Sequence, residues 1–451
     1  MRTYFSTYKN ILQLAFPVML SQLGHVTVQL ADNMMVGRVG TTELAAASFA
    51  NSVFVLGMLF GTGICMGLTP LAGKAFLKRN GNQLASYLKN GLILSLSLGA
   101  IIALILLAIS FFLDFMGQTP EVAQLAQPYM WVLILSLVPL MIFSTFKQFL
   151  EGLGNTKVAM VIVIASNAIN ILFNYLLIFG KWGFPELGLL GAGLSTLIAR
   201  FFMPIAIFIY FKTNSRFQNI RSRALASLAK LSEMKKLLQI GVPIGVQVVF
   251  EVLIFSLSGI MMGWIGETEL AAHQVTVSIT TVAYMISLGI GSATTIRVSH
   301  NLGAGDWAQI KRLIFASSHL TVGLMGSVGI MLITFRYQLP TLFTTDPNVI
   351  KISAQLFIVA ALFQVFDSLQ VALLAVLRGL TDVTVPMVLA FVSYLVIGTP
   401  VCYLCAFSFG MGPIGIWWGL LISLMMAAGL FAFRLRQIVF LPKANELSFL
   451  R

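Results

Sequence analysis

Twelve apolar runs, each long enough to cross a hydrocarbon core of about 30 Å at roughly 20 residues per crossing, follow one another along this 451-residue chain. They cover approximately 12–36, 45–71, 88–113, 124–146, 157–179, 188–211, 237–263, 270–296, 313–335, 350–376, 384–408 and 413–435. In lipid every backbone amide must be paired internally, and helices do this within one segment. The runs therefore predict an all-α integral membrane protein of twelve transmembrane helices. With 58% hydrophobic and 10% charged residues, the chain departs far from the roughly 25% charged composition of soluble domains. The first run contains Pro17, His25, Gln29 and Asp32, which is not the compact apolar core of a cleaved signal, so it is expected to stay as the first helix.

The same composition speaks against a soluble enzyme or nucleic-acid binder. Cys65, Cys402 and Cys405 lie inside apolar stretches, and His25, His273, His300 and His319 are dispersed. No metal-ligand spacing, phosphate-binding loop or nucleophile elbow occurs. No enzymatic activity and no cofactor is expected.

A net charge of +13 could suggest nucleic acid, but the basic residues gather in alternate loops. Arg2 and Lys9 precede the first span, and Lys74, Lys78, Arg79 and Lys89 lie between spans two and three. Lys147 and Lys157 flank the fourth connection, and seven Lys or Arg fill 212–236. Arg297, Lys311, Arg312, Arg378, Arg434, Arg436, Lys443 and Arg451 continue the pattern, whereas the opposite loops hold only Arg38, Lys181, Arg336 and Lys351. This asymmetry orients a membrane protein with both termini cytoplasmic. The 212–236 segment reads as a solvated linker touching anionic lipid.

Displacing the chain on itself by about 226 residues brings two halves into register. LQLAFP and MMVGRVGTTELAAA recur as LQIGVP and IMMGWIGETELAAH, and LEGLGNTKVAM (150–160) recurs as LRGLTDVTVPM (377–387). The expectation is two pseudo-symmetric six-helix bundles, 1–220 and 221–451. An even number of spans per repeat makes both face the same way, a plan that transporters use with substrate held between the halves. Pro17, Pro243 and Pro386 are expected to interrupt helices, as bending points or plain kinks.

Scaffold positions match between repeats, so unmatched charges are the informative ones. Asp32 stands opposite Ser258, Glu251 opposite His25, and Asp367 opposite Leu140. A carboxylate at a helix centre costs about 2.5 to 3.5 kcal/mol on insertion scales, so these three acids are the candidates for ion coupling and substrate binding. Burial as packing polars capped by Ser, Thr or Asn is the plainer alternative. Arg200 is the one basic residue deep in a span, either snorkelling or pairing with a carboxylate.

The segments PVMLSQLGHVTVQLADNMMVG, FEVLIF with Glu251, ELAAHQV (269–275), IRVSHNLGAG (296–305) and FDSLQVALLAVLRGLTD (366–382) together resemble the multidrug and toxic compound extrusion (MATE) family, in its NorM-like bacterial branch. The resemblance covers nearly the whole chain. It implies a large central cleft between two bundles and secondary active export of small amphipathic, mainly cationic compounds against inward Na+ or H+, in the bacterial inner membrane. It carries the family's acids onto Asp32, Glu251 and Asp367, and its first-half polar cluster onto Asn170, Asn174 and Thr196. Gln274 matches a cleft-facing position; for Gln274 and for both asparagines, ordinary helix packing is an equal reading. Asn174 departs from relatives with a second carboxylate there, and Phe363 stands where some Na+-coupled relatives have Tyr. One chain holds both bundles, so a monomer is expected, with membrane lipid around it and no nucleic-acid partner. The alternative is a flippase of a lipid-linked substrate, which would want cationic residues for a phosphate.

Overall fold

The computed structural model describes residues 2–441; Lys443, Glu446 and Arg451 lie outside them. Among the described residues, twelve helices are long and apolar enough to cross a membrane: α1 (Tyr4–Gly37), α2 (Thr41–Leu77), α3 (Gly81–Ser110), α4 (Pro120–Gly152), α5 (Lys157–Ile178), α6 (Gly188–Thr213), α7 (Leu231–Ile265), α8 (Glu267–Ala304), α9 (Trp307–Thr334), α10 (Pro347–Gly379), α11 (Thr384–Ser408) and α12 (Gly412–Phe440). Among the described residues there is no strand.

The repeat is visible in how the helices begin. Asn80 caps α3 by accepting from the Gln83 amide at 3.0 Å, and Asp306, its repeat equivalent, caps α9 by accepting from the Gln309 amide at 2.9 Å. At the starts of α2 and α8, Glu43 and Glu269 fold back over Gly40 and Gly266, where a β-carbon would strike the glutamate carboxylate. The acid at each helix N-terminus also opposes the positive end of the macrodipole. These contacts explain why GTTEL and GETEL survive in both halves. Pro386, expected to interrupt a helix, instead sits in the first turn of α11, where no intrahelical partner awaits its missing amide hydrogen. Pro17 and Pro243 do lie inside helices.

Two compact units form. One is Leu20–Gly245; the other is Met1–Met19 together with Val246–Arg451. Helices α1 and α7 each contribute to both.

In the Leu20–Gly245 unit, α2 and the start of α7 carry the glycine pairs Gly63/Gly67 and Gly241/Gly245. A β-carbon on Gly63 would lie 2.6 Å from the Gly245 Cα, and one on Gly67 would lie 2.9 Å from the Gly241 Cα. The helices therefore cross antiparallel through paired GxxxG faces, with van der Waals contact between backbones as the attraction. The segment after α6 holds a short helix, Gln218–Ala226. Phe217 stacks on Phe211 at 4.7 Å, Arg223 donates to the Asn82 side-chain oxygen at 3.1 Å, and the Lys230 amide donates to the Asn90 side chain at 2.9 Å. Lys89 also donates to the Ser227 carbonyl. The basic segment is thus tied to α3 while most of its residues stay exposed.

In the other unit, α11 is wound partly as π-helix, over Val392–Gly398 and Leu404–Ser408. It packs on α12 through Gly415 and Gly419, whose β-carbons would meet the Cys405 carbonyl carbon at 2.6 Å and the Cys402 Cα at 2.5 Å. Cys402 is accordingly a buried small residue, as its apolar context predicts.

Candidate functional site

Two polar clusters lie inside the helical units, one in each. In the Leu20–Gly245 unit, the Asn174 amide of α5 donates both to the Asp32 carboxylate of α1 and, at 3.1 Å, to the Asn170 side-chain oxygen one turn earlier. Asn170 in turn donates to the Thr196 hydroxyl of α6 at 3.3 Å. Asp32, Asn174, Asn170 and Thr196 therefore form one hydrogen-bonded chain across three helices. Helical spacing makes it possible: residues four apart share a face, so α5 presents both asparagines to its neighbours. Asn170 and Asn174 are fully buried, and the Asn174 carbonyl oxygen has no hydrogen-bond partner. A free oxygen acceptor beside a carboxylate suits a hard cation or a carboxyl proton.

Arg200, one turn beyond Thr196 on α6, borders the same cluster. Its guanidinium donates to the Ser136 hydroxyl of α4 at 2.7 Å, touches the Met58 sulfur at 3.5 Å and lies 5.2 Å over the Phe54 ring. It interacts electrostatically with Asp32 and with Tyr129, yet forms no ion pair within 4.0 Å among the described residues. Tyr129 accepts from the Asn51 amide at 3.4 Å. Arg200 is held by a hydroxyl, a thioether and an aromatic face, so it neither snorkels free nor binds a carboxylate directly.

The second cluster is larger. Tyr284 of α8 donates its hydroxyl to Glu251 Oε1 of α7 at 2.6 Å. Asp367 of α10 is 4% exposed and interacts electrostatically with Glu251. Tyr394, on the π-wound part of α11, interacts with Glu251, Asp367 and Arg378 together and approaches Gln370. Arg378 donates to the Gln247 side-chain oxygen at 3.4 Å. The arrangement unites four helices around two carboxylates and one guanidinium. Helical spacing again explains it: Gln247 and Glu251 are four apart on α7, and Asp367, Gln370 and Arg378 fall on one face of α10.

Of the residues expected from sequence, Asp32, Asn170, Asn174 and Thr196 come together, and Glu251 and Asp367 come together. Gln274 joins neither cluster: it is exposed on α8, and its carbonyl accepts from Ser278 at 2.8 Å. Phe363 is buried edge-on against Trp417 at 5.4 Å and Phe255 at 6.0 Å, a packing position with no oxygen to offer. Sequence reasoning missed Tyr284, Gln370, Tyr394, Gln247 and Arg378 as members. The available signals were the four-residue spacing of Gln247 and Glu251 and the contrast of Arg378 with its repeat equivalent Glu151.

The profile of the MatE family matches residues 17–176 and 243–404, one stretch in each half. The chain belongs to the MatE family. The matched stretches of this MATE transporter contain Asp32, Asn170, Asn174, Glu251, Gln274 and Asp367, while Thr196 and Arg200 lie between them. The chain is 31% identical over 439 residues to a probable multidrug resistance protein NorM of Bradyrhizobium diazoefficiens, covering 96% of this chain and 93% of that one. It is 30% identical over 444 residues to multidrug resistance protein NorM of Photobacterium profundum, covering 97% of each. Its fold is similar to that of the eukaryotic MATE transporter AtDTX14, with a TM-score of 0.88 at 22% identity over 99% of this chain and 100% of that one. It is also similar to an outward-facing multidrug resistance MATE family transporter, with a TM-score of 0.89 at 22% identity over 97% of each. Twelve crossing-length helices and this family membership make the chain a multi-pass membrane transporter of small molecules.

Proposed function

We propose that this MATE transporter is a multidrug efflux antiporter that exports amphipathic, mainly cationic compounds in exchange for inward Na+ or H+. The observation that carries the reading is the pairing of Glu251 and Asp367 in one buried cluster with Tyr284 and Tyr394. Two carboxylates against the single guanidinium of Arg378 leave a site of net negative charge when both are ionised. Such a site is completed by a cation, and a drug cation, Na+ or H+ can each supply the missing charge. Binding of one weakens the hold on the other, which is the condition for exchange. Asp32 with Asn174, Asn170 and Thr196 offers a second carboxylate on the same principle. The NorM names of the relatives speak for drugs as the cargo.

The alternation of basic loops supports an inner-membrane orientation with both termini cytoplasmic. The repeat divides the working machine into 1–220 and 221–451, and both halves in one chain support action as a monomer. When one inward cation is exchanged for one monovalent drug cation no net charge crosses the membrane, so the concentration gradient of the inward ion drives export: each tenfold, about 1.4 kcal/mol, sustains roughly a tenfold drug gradient. A lipid-linked phosphate would call for a cation-rich site, whereas both clusters are centred on carboxylates.

The test is uptake of a fluorescent monovalent amphipathic cation into inside-out vesicles, energised separately by an imposed Na+ gradient and an imposed pH gradient. One gradient drives uptake in the wild type and fails in Asp367→Asn if the reading holds. Uptake driven by neither gradient contradicts it.

A further inference from the structure

From the Glu251 and Asp367 cluster toward the Arg378 end of α10 lie several buried polar atoms without a protein partner. Gln247 Nε2 on α7, the Ser287 hydroxyl on α8, both side-chain polar atoms of Gln370 and Nε of Arg378 on α10, and the Ser393 and Tyr394 hydroxyls on α11 lack a hydrogen bond of ordinary length, with Gln370 and Tyr394 near enough to interact with each other. Gln247 is 1% exposed, and Ser287, Gln370 and Ser393 are 0% exposed. A buried amide or hydroxyl left unpaired costs about 1 to 3 kcal/mol, and interiors meet such needs with bound water making about three hydrogen bonds.

Gln364 Oε1, one turn before Asp367, and His273 Nδ1 and Trp417 Nε1 are unpaired as well, on the side away from Arg378; the atoms on the Arg378 side form a sequence of their own. Gln247 and Ser287 follow Glu251 and Tyr284 by one helical turn toward the Arg378 end, running against and along their respective helices. Gln370 is one turn past Asp367, and Val371 beside it meets Gly291 of α8, one turn past Ser287. Tyr394 stands between, next to Gln370 and in electrostatic contact with Glu251, Asp367 and Arg378. Eleven residues separate Asp367 from Arg378, about 16 Å of helix. Arg378 itself is partly buried and meets Gln247 at the end of this sequence.

We propose that Gln370, Ser287, Gln247 and Tyr394 hold a file of bound water inside the Val246–Arg451 unit, and that protons pass along it between Asp367 and the Arg378 end of α10. The proposal rests on the antiport reading and names its ion. In the step, the Asp367 carboxyl gives its proton to the first water while each water passes one of its own onward. One proton emerges beside Arg378, the carboxylate remains, and only O–H bonds form and break. Neutral amides and hydroxyls orient water for such relay without binding the charge along the way. Gln370, Ser287 and Gln247 are positioning residues, since they act through the water they hold. On the cytoplasmic orientation of the basic loops, the Arg378 end is the inner end, so a proton taken by Asp367 has a way out that the drug does not share.

The experiment combines two measurements on the full chain. Brief X-ray radiolysis followed by mass spectrometry oxidises side chains that touch bound water. Tyr394, only 1% exposed, is expected to be oxidised in the wild type and at least fivefold less in Gln370→Leu, which replaces the amide by an apolar group of similar volume. Uptake of a monovalent cationic dye driven by a pH gradient is expected to fall at least tenfold in Gln370→Leu. Gln370→Met serves if the leucine variant does not fold. An unoxidised Tyr394 in the wild type, wild-type uptake in a folded variant, or uptake driven only by Na+ overturns the proposal. A wild type driven by neither gradient removes the antiport reading itself, and the route with it.

Discussion

The Tyr284 hydroxyl donates to Glu251 at 2.6 Å, and Glu251 occupies the position where the first half of the chain carries His25. A bond from a neutral donor to an ionised carboxylate is worth about 1.5 to 3 kcal/mol. Tyr284→Phe keeps the ring and removes this donor. Ion-driven drug export is expected to fall by about tenfold, with a much smaller shift in thermal midpoint, measured as initial uptake rate and detergent melting. An unchanged rate contradicts a coupling role for the pair.

Asn174 joins Asp32 to Asn170 through both of its amide hydrogens. Asn174→Leu leaves the Asp32 carboxylate without this donor and is expected to destabilise the protein by about 1 to 3 kcal/mol, read as a lower melting midpoint. Thr196→Val, at the end of the same chain, removes only the acceptor for Asn170 and is expected to cost less. The reverse order would show that the network does not run through Asn174.

Arg200 and Asp32 interact without an ion pair, so the guanidinium opposes any cation that Asp32 attracts. Arg200→Met retains an extended side chain beside Phe54 and Met58 but removes the charge. Affinity for a monovalent cationic dye is expected to rise by about three- to tenfold, equivalent to roughly 1 kcal/mol of relieved repulsion, measured by fluorescence polarisation. Weaker binding would mean that Arg200 serves chiefly to order the site.

The crossing of α2 and α7 depends on Gly63, Gly67, Gly241 and Gly245. A leucine at Gly241 would drive its side chain into the Ile64 carbonyl and Cα, parts of the backbone that cannot yield without separating the helices. Gly241→Leu is expected to abolish folded protein in membranes, and Gly259→Ala, where a β-carbon meets nothing within 4 Å, to leave it intact. Size-exclusion profiles of the two variants in detergent decide this.

The all-helical architecture was legible because every crossing must be apolar for about 20 residues. Helix ends were less so: α2 runs Thr41–Leu77 where the apolar run covers 45–71, and α10 runs Pro347–Gly379 where it covers 350–376. Turns carrying a charge or polar residue, such as Glu43, Lys74, Asn348 and Arg378, continue these helices beyond the hydrophobic stretch, and hydropathy does not register them. The acids were legible because a lone carboxylate in an apolar run breaks the pattern and its repeat partner is uncharged. Asn170, Asn174 and Thr196 came from the family resemblance, and their spacing agrees with it. Tyr284, Gln370 and Tyr394 escaped notice because tyrosine and glutamine in a helix look like ordinary packing until the opposite helix is known. Gln274, placed by motif as a cleft-facing position, lies exposed on α8 and joins neither cluster.

The claim that drug and coupling ion exchange at Asp367 is tested most directly by ion release from purified protein. In weakly buffered detergent solution, adding a saturating amphipathic cation should displace about one proton, or one Na+ from Na+-loaded protein, per molecule, if the carboxylates share a single cation at a time. A pH indicator and a Na+ electrode read the two cases. The account predicts release from the wild type and none from Asp367→Asn; drug binding without release in the wild type, or undiminished release from Asp367→Asn, would contradict it.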